Sequence, residues 1–204
     1  MNIFDLRAKD FDTDARIERS KLFADEIRLH INDGDKKSAM EYGCGTGLVG
    51  FQLINDFSSI LFVDSSPRMI EEVEKKLLVL KKPTEAAICR DFIMDSTDEL
   101  SVDCIFTSLV LHHIEDTKDI LSRLFNILRK DGQLLIVDID TDDGSFHAET
   151  PGYDGHNGFD QSALVSLAME VGFKKAETKT FYHGNKMLGG ENKTYSFFIL
   201  DAVK

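Results

Sequence analysis

Residues 41–47 read Glu41-Tyr42-Gly43-Cys44-Gly45-Thr46-Gly47, an acidic residue followed by three glycines at alternate positions. Such a loop turns tightly and brings bare backbone N–H groups close to a ligand, which a Cβ at those positions would block. Twenty-one residues after Gly43, the apolar run Ile60-Leu61-Phe62-Val63 ends in Asp64, with Ser65 beside it. A carboxylate placed there can accept both hydroxyls of a ribose. Loop and acid together point to an adenosine-containing cofactor.

These residues need strands that stop beside one another. The chain supplies them in alternation with helices after residue 36. The first strand is expected at about 37–42, followed by a helix with Leu48, Val49, Leu53 and Ile54 on its inner face. The second strand ends at Asp64. Ser66 then reads as an N-cap with Pro67 at the first helical position, and Met69, Ile70, Val73, Leu77 and Leu80 continue at helical spacing. A third strand is expected at 86–90, ending at Asp91-Phe92. A fourth, at 102–109, is apolar almost throughout, as a strand covered on both faces should be. A helix over 116–129, stopped by Asp131-Gly132, precedes strand 133–139. The Gly- and Asp-rich stretch 140–158 reads as one long loop, a candidate functional lid. Asp160 and Gly172 bracket the next helix, with Phe159 and Leu164 placed for a hydrophobic staple. Strands at about 174–182 and 194–203, joined through Gly184–Asn192, close the chain as a hairpin. Upstream, 14–31 forms a helix with Phe23, Ile27 and Ile31 on one face. The fold expected is α/β: a Rossmann-like, mostly parallel seven-stranded sheet with helices on both faces and a C-terminal antiparallel hairpin. Residues 1–35 would make a helical cap and 36–204 the main domain.

Composition narrows the partners. A formal charge of −12 opposes tight binding to nucleic acid, which needs clustered Lys and Arg against phosphate. No apolar run is long enough to span a bilayer, and Met-Asn-Ile-Phe-Asp-Leu-Arg lacks the pattern of a secretory signal. Cys44, Cys89 and Cys104 have no metal-ligand spacing and read as reduced thiols of a cytoplasmic protein, monomeric or homodimeric.

The glycine loop parses in two ways. Gly45-x-Gly47-x-x-Gly50, with Asp64 19 residues on, fits the dinucleotide fingerprint of an NAD(P)-binding oxidoreductase. That parse places Glu41 inside the strand, and such folds continue with parallel units rather than a closing hairpin. The other parse, Glu41-x-Gly43-x-Gly45-x-Gly47, resembles motif I of the class I S-adenosylmethionine-dependent methyltransferases. Asp64, Asp91-Phe92, the segment Val102–Ile114 and Glu170-Val171-Gly172-Phe173 resemble further motifs of that family in the same order, over residues 36–204. The resemblance implies S-adenosyl-L-methionine as cofactor, with S-adenosyl-L-homocysteine as product. It implies a small-molecule acceptor attacked in line at an N, O, C or S atom. Gly43, Cys44, Gly45 and Gly47 would then border methionine and ribose, and Glu41 would face the cationic end. Asp64 would take the ribose hydroxyls, Asp91 and Phe92 the adenine, while Ser108 and Leu109 would floor the site near the methyl. A protein that keeps the fold and binds the cofactor without transferring methyl is the rival of a different class.

Other residues carry less. Cys44 reads as a small residue required by the loop. His112-His113 with Glu115 and Asp116 lacks the geometry for a shared ion, since neighbours at a strand end diverge; His113 is the candidate base. Asp138, Asp140, Asp142 and Asp143 lack the spacing of a calcium loop. His156 and His183 read as surface histidines. Phe11, in Ala8–Asp12 ahead of the first helix, is placed to cover the cofactor.

Overall fold

The structure is a computed structural model that describes Asp5 and residues 8–31, 37–80, 100–150 and 152–204. The expected strand at 86–90, Cys89, Asp91 and Phe92 lie outside the described residues. Six described strands form one sheet: β1 (Ser38–Tyr42), β2 (Ser59–Val63), β3 (Val102–Ser108), β4 (Leu128–Ile139), β5 (Lys175–Leu188) and β6 (Glu191–Val203), in the order β2-β1-β3-β4-β6-β5. β1 pairs in parallel with β2 and β3, β3 with β4, and β6 runs antiparallel to both β4 and β5. The mostly parallel sheet with an antiparallel pair at one edge is as the sequence implied.

Alternate side chains of each central strand enter opposite cores. On one face Phe23 and Ile27 of α1 (Asp14–His30), Leu53 of α2 (Leu48–Leu53) and Val73 of α3 (Pro67–Val79) pack with Phe62, Phe106, Leu135 and Phe197. On the other, Leu121 and Leu124 of α4 (Thr117–Ile127) and Leu164 of α5 (Gln161–Val171) pack with Met40, Ile105, Leu134 and Phe198. Burying each such side chain contributes about 1.5–3 kcal/mol, so the two cores hold the strand ends in place.

Local signals set the boundaries. Ser66 caps α3, its Oγ accepting from Met69 N at 3.3 Å, and Pro67 follows at the first helical position. Asp160 caps α5 by accepting from Ala163 N at 2.8 Å, and Gly172, at φ 123°, ends it. Two boundaries differ from expectation. The helix expected to 129 ends at Ile127, and β4 begins at once. Asp131, at φ 62°, sits in a register shift against β3, so the Asp131-Gly132 signal marks a bulge inside a strand. The hairpin strands are longer than expected, because Gly189-Gly190, at φ 58° and 87°, supplies a two-residue turn. Leu80, expected inward, caps α3 and is exposed.

Candidate active site

β1, β2 and β3 end side by side, and the turns beyond them line a cavity of about 410 Å³ that α1 covers. Position is what the open α/β sheet dictates: the crevice beyond the carboxyl ends of its strands. Its floor is the glycine loop, where Gly43, Gly45 and Gly47 have φ of 68°, 55° and 79°. A Cβ on Gly43 would lie 2.4 Å from Val110, and one on Gly47 2.7 Å from Phe51. On Gly45 it would meet only Phe11, at 3.6 Å, across the cavity.

The loop's N–H groups are not bare. Cys44 N donates to Val63 O at 2.9 Å and Gly47 N to Cys44 O at 2.8 Å. Gly45 N donates to Asp64 Oδ2 at 2.7 Å, and Ser66 N to Asp64 Oδ1 at 2.8 Å. Asp64 therefore fixes the loop to the end of β2. Each of its oxygens keeps a second acceptor direction, and the residue lines the cavity. Burial raises its pKa against the pull of these two donors.

Glu41 is buried in β1 and lines the same cavity. Its Oε2 accepts from Gly50 N at 3.1 Å, at a point where a Cβ on Gly50 would come within 2.3 Å of that oxygen. Burial pushes the carboxyl up to about 8, the Gly50 hydrogen bond opposing this. Gly50, third glycine of the dinucleotide parse, thus serves a contact inside the protein. Cys44 is buried, and desolvation raises its thiol far above the reactive range, as a structural residue requires.

Ser65, Ser108, Leu109 and His113 also line the cavity. The structure therefore brings together every candidate from the sequence among the described residues except Gly47, which packs on Phe51 behind the loop. The segment before α1 closes one side. Thr46 Oγ1 donates to Asp12 Oδ1 at 2.5 Å, and Lys76 Nζ reaches both Thr46 O and Asp12 Oδ2 at 2.7 Å. This clamp holds Phe11 opposite Gly45.

A second group of residues borders the site. His112, adjacent to His113, is buried with Nδ1 2.6 Å from Asp138 Oδ1 on β4. Asp138 also accepts from the N–H of Ile139 and of His112, so the His112 ring donates to it from Nδ1. Around it stand His113, at 4.2 Å between ring centroids, His147, at 4.8 Å, and Tyr153, at 6.2 Å. Among the described residues, the Nε2 atoms of His112 and His147 are buried without hydrogen-bond partners. Burial first, and the neighbouring His112 second, lower both His113 and His147 to about 4.

The loop after β4 makes this cluster. Its base is closed by Thr141 N to Phe159 O and Asp142 N to Asn157 O. His156 N and the Tyr153 hydroxyl both donate to His112 O, while His156 Nε2 bonds Ile114 O at 2.9 Å. His156, read from sequence as a surface histidine, is thus an anchor. His147 and Tyr153 went unnoticed in the sequence; their only signal was aromatic residues within a long loop. Among the described residues, no group of three or more His, Cys, Asp or Glu is placed to hold a metal ion.

Sheet order, glycine loop and strand-end acids make a Rossmann-like fold with its ligand cavity at the strand ends. Residues 40–134 match the family model described as a methyltransferase domain. An uncharacterised methyltransferase of Schizosaccharomyces pombe is 26% identical over 177 residues, 78% of this chain and 62% of that relative. An S-adenosylmethionine-dependent methyltransferase of Thermotoga maritima has the same fold at TM-score 0.72 and 18% identity, covering 99% of this chain and 98% of the other. Phosphoethanolamine N-methyltransferase 2 of Haemonchus contortus, solved with phosphomonomethylethanolamine and S-adenosylhomocysteine, follows at TM-score 0.70 and 17% identity over 87% of this chain and 51% of that one. Residues 40–134 thus resemble a methyltransferase domain, and the chain shares the fold of S-adenosylmethionine-dependent methyltransferases. The chain spans less than two thirds of the Schizosaccharomyces relative.

Proposed function

We propose that this protein binds S-adenosylmethionine in the cavity beyond β1, β2 and β3 and transfers its methyl group to a small molecule. The observation that carries the reading is Asp64, which fastens the glycine loop through Gly45 N while keeping acceptor capacity toward the cavity. Asp64 takes the ribose hydroxyls, and Glu41 complements the positive end of the methionine moiety. Gly43, Cys44 and Gly45 let the backbone lie against it, with Phe11 opposite. Ser65 extends the polar wall at β2. Asp91 and Phe92 are assigned to adenine by the sequence motif alone. Ser108 and Leu109 form the floor toward the acceptor.

S-adenosylmethionine supplies a methyl group on a sulfonium, already activated for in-line displacement. The protein's contribution is then alignment and exclusion of water. α1 and the Phe11 clamp close the cavity on one side, and the loop after β4 stands beside it. His113, kept neutral at physiological pH, can take a proton from the acceptor if the attacking atom carries one. A small acceptor is favoured by the cavity's modest volume of about 410 Å³, by the net charge of −12, and by likeness to phosphoethanolamine N-methyltransferases.

Calorimetry with S-adenosylhomocysteine, S-adenosylmethionine and NADH in parallel tests the reading. Binding of both S-adenosyl ligands and not of NADH is expected. Binding of NADH alone would overturn it, and S-adenosyl binding without turnover over a broad acceptor panel would favour a non-catalytic binding protein.

A further inference from the structure

Resting on the reading of the cavity as a methyltransferase site, we propose that Arg19 of α1 is the site's anion-recognition residue and that the bound molecule presents an oxyanion to it. Arg16, Arg19, Ser20 and Phe23, with 16/20 and 19/23 four apart and 16/19 and 20/23 three apart, form the face of α1 over the cavity. The other charged side chains that α1 carries inward or along its edges are satisfied within the protein. Arg28 bonds Asp25, Asp56 and the carbonyl of Gln52. Glu26 meets Lys179 and His30. Arg16 donates to Phe11 O at 3.0 Å and lies over the Phe11 ring. Arg19 differs: it lines the cavity and has neither a hydrogen bond nor an ion pair among the described residues.

A guanidinium has five fixed donors and does not lose its proton at physiological pH. Leaving it largely buried and unpaired is costly, and this charge sits where burial and Arg16 both disfavour it. The cavity it lines offers a route by which a partner can reach it. A carboxylate or a phosphate fits, because either can accept two parallel N–H bonds from the fork. The cavity then divides by charge. Glu41 and Asp64 lie at the strand ends, and Arg16 and Arg19 on the helix above. Arg19 also approaches Tyr195 of β6, whose ring is 5.2 Å from Phe146 of the loop after β4. It therefore stands where the cavity meets the histidine side.

The oxyanion has two sources, the methionine carboxylate of the donor or an acidic group on the acceptor. Titration of wild type, Arg19→Gln and Arg19→Lys with S-adenosylhomocysteine and with 5′-methylthioadenosine, which has no carboxylate, separates them. If the donor supplies the anion, Arg19→Gln weakens S-adenosylhomocysteine by about 10- to 100-fold, Arg19→Lys by less, and 5′-methylthioadenosine is unaffected. If the acceptor supplies it, S-adenosylhomocysteine binds all three proteins alike. Inorganic phosphate or acetate then raises the melting temperature of the loaded wild type above that in chloride at equal ionic strength, and not that of Arg19→Gln. Either result supports the proposal. It is overturned if neither effect is seen, if both nucleosides weaken equally, or if Arg19→Gln clearly lowers the melting temperature of the free protein, which would make Arg19 structural. Should wild type bind no S-adenosylhomocysteine, the methyltransferase reading fails. The phosphate and acetate arms on free wild type and Arg19→Gln then still decide the role of Arg19.

Discussion

The two halves of the site are built by opposite means. In the glycine-loop half, backbone N–H groups of Gly45, Gly50 and Ser66 donate to two carboxylates, Glu41 and Asp64, all within residues 41–66. In the histidine half, side chains from the turn after β3, from β4 and from the loop after it also pack on one another. The first half is internally satisfied and presents spare acceptor capacity. The second leaves the Nε2 atoms of His112 and His147 without partners among the described residues.

The contrast breaks most readily at Asp138. Its carboxylate orients His112 and both are buried, so Asp138→Ala leaves the ring and two N–H groups without an acceptor. A loss of about 3–5 kcal/mol in urea unfolding is expected, with S-adenosylhomocysteine affinity preserved in the folded fraction. A mild effect would mean that the histidine half is not held by this pair. Next is Gly50→Ala. Alanine favours a helix by about 1 kcal/mol over glycine, but here the methyl would come within 2.3 Å of Glu41 Oε2 and 2.5 Å of Phe62. Overpacking of this kind costs about 1–3 kcal/mol and should win; thermal unfolding would show a lower midpoint, with weaker cofactor binding. Asp64→Ala should weaken S-adenosylhomocysteine by about 10- to 100-fold in calorimetry, since ribose loses a charged acceptor. Unchanged affinity would show that the ribose lies elsewhere.

Legibility followed the same division. Gly43, Gly45, Gly47 and Asp64 could be placed from sequence because backbone conformation demands glycine at fixed spacing and a strand end fixes the acid. Glu41 was legible for the same reason. That the loop's N–H groups are consumed by Val63 O, Asp64 and Cys44 O was not, because backbone partners leave no mark on residue type. The histidine half was mostly invisible. Nothing in the spacing of His112, Asp138, His147 and Tyr153 says that a loop folds back to stack His147 on Tyr153 at 3.9 Å. Arg19 had a faint signal, a cation three residues before the inward-facing Leu22-Phe23 stretch. The β4 bulge was misread as a helix stop since Asp-Gly permits either.

The smallest effect expected, and the one that tests the division directly, is in the pH dependence of stability. Glu41 rises from 4.5 to about 8 on folding, so between those values the native state holds a proton that the unfolded chain has released. Its contribution is full below pH 4.5 and is lost as pH rises through 8. His113 and His147 fall from 6.5 to about 4. Between those values the unfolded chain binds protons that the native state does not, so their contribution is full above pH 6.5 and is lost as pH falls through 4. The glycine-loop half thus weakens toward alkali and the histidine half toward acid. Glu41→Gln should flatten the alkaline limb of the melting temperature against pH and leave the acid limb alone. His113→Gln should do the reverse, by a smaller amount, since His113 is exposed and His147 still titrates. If either substitution shifts both limbs, the two halves share their protons and are one electrostatic unit.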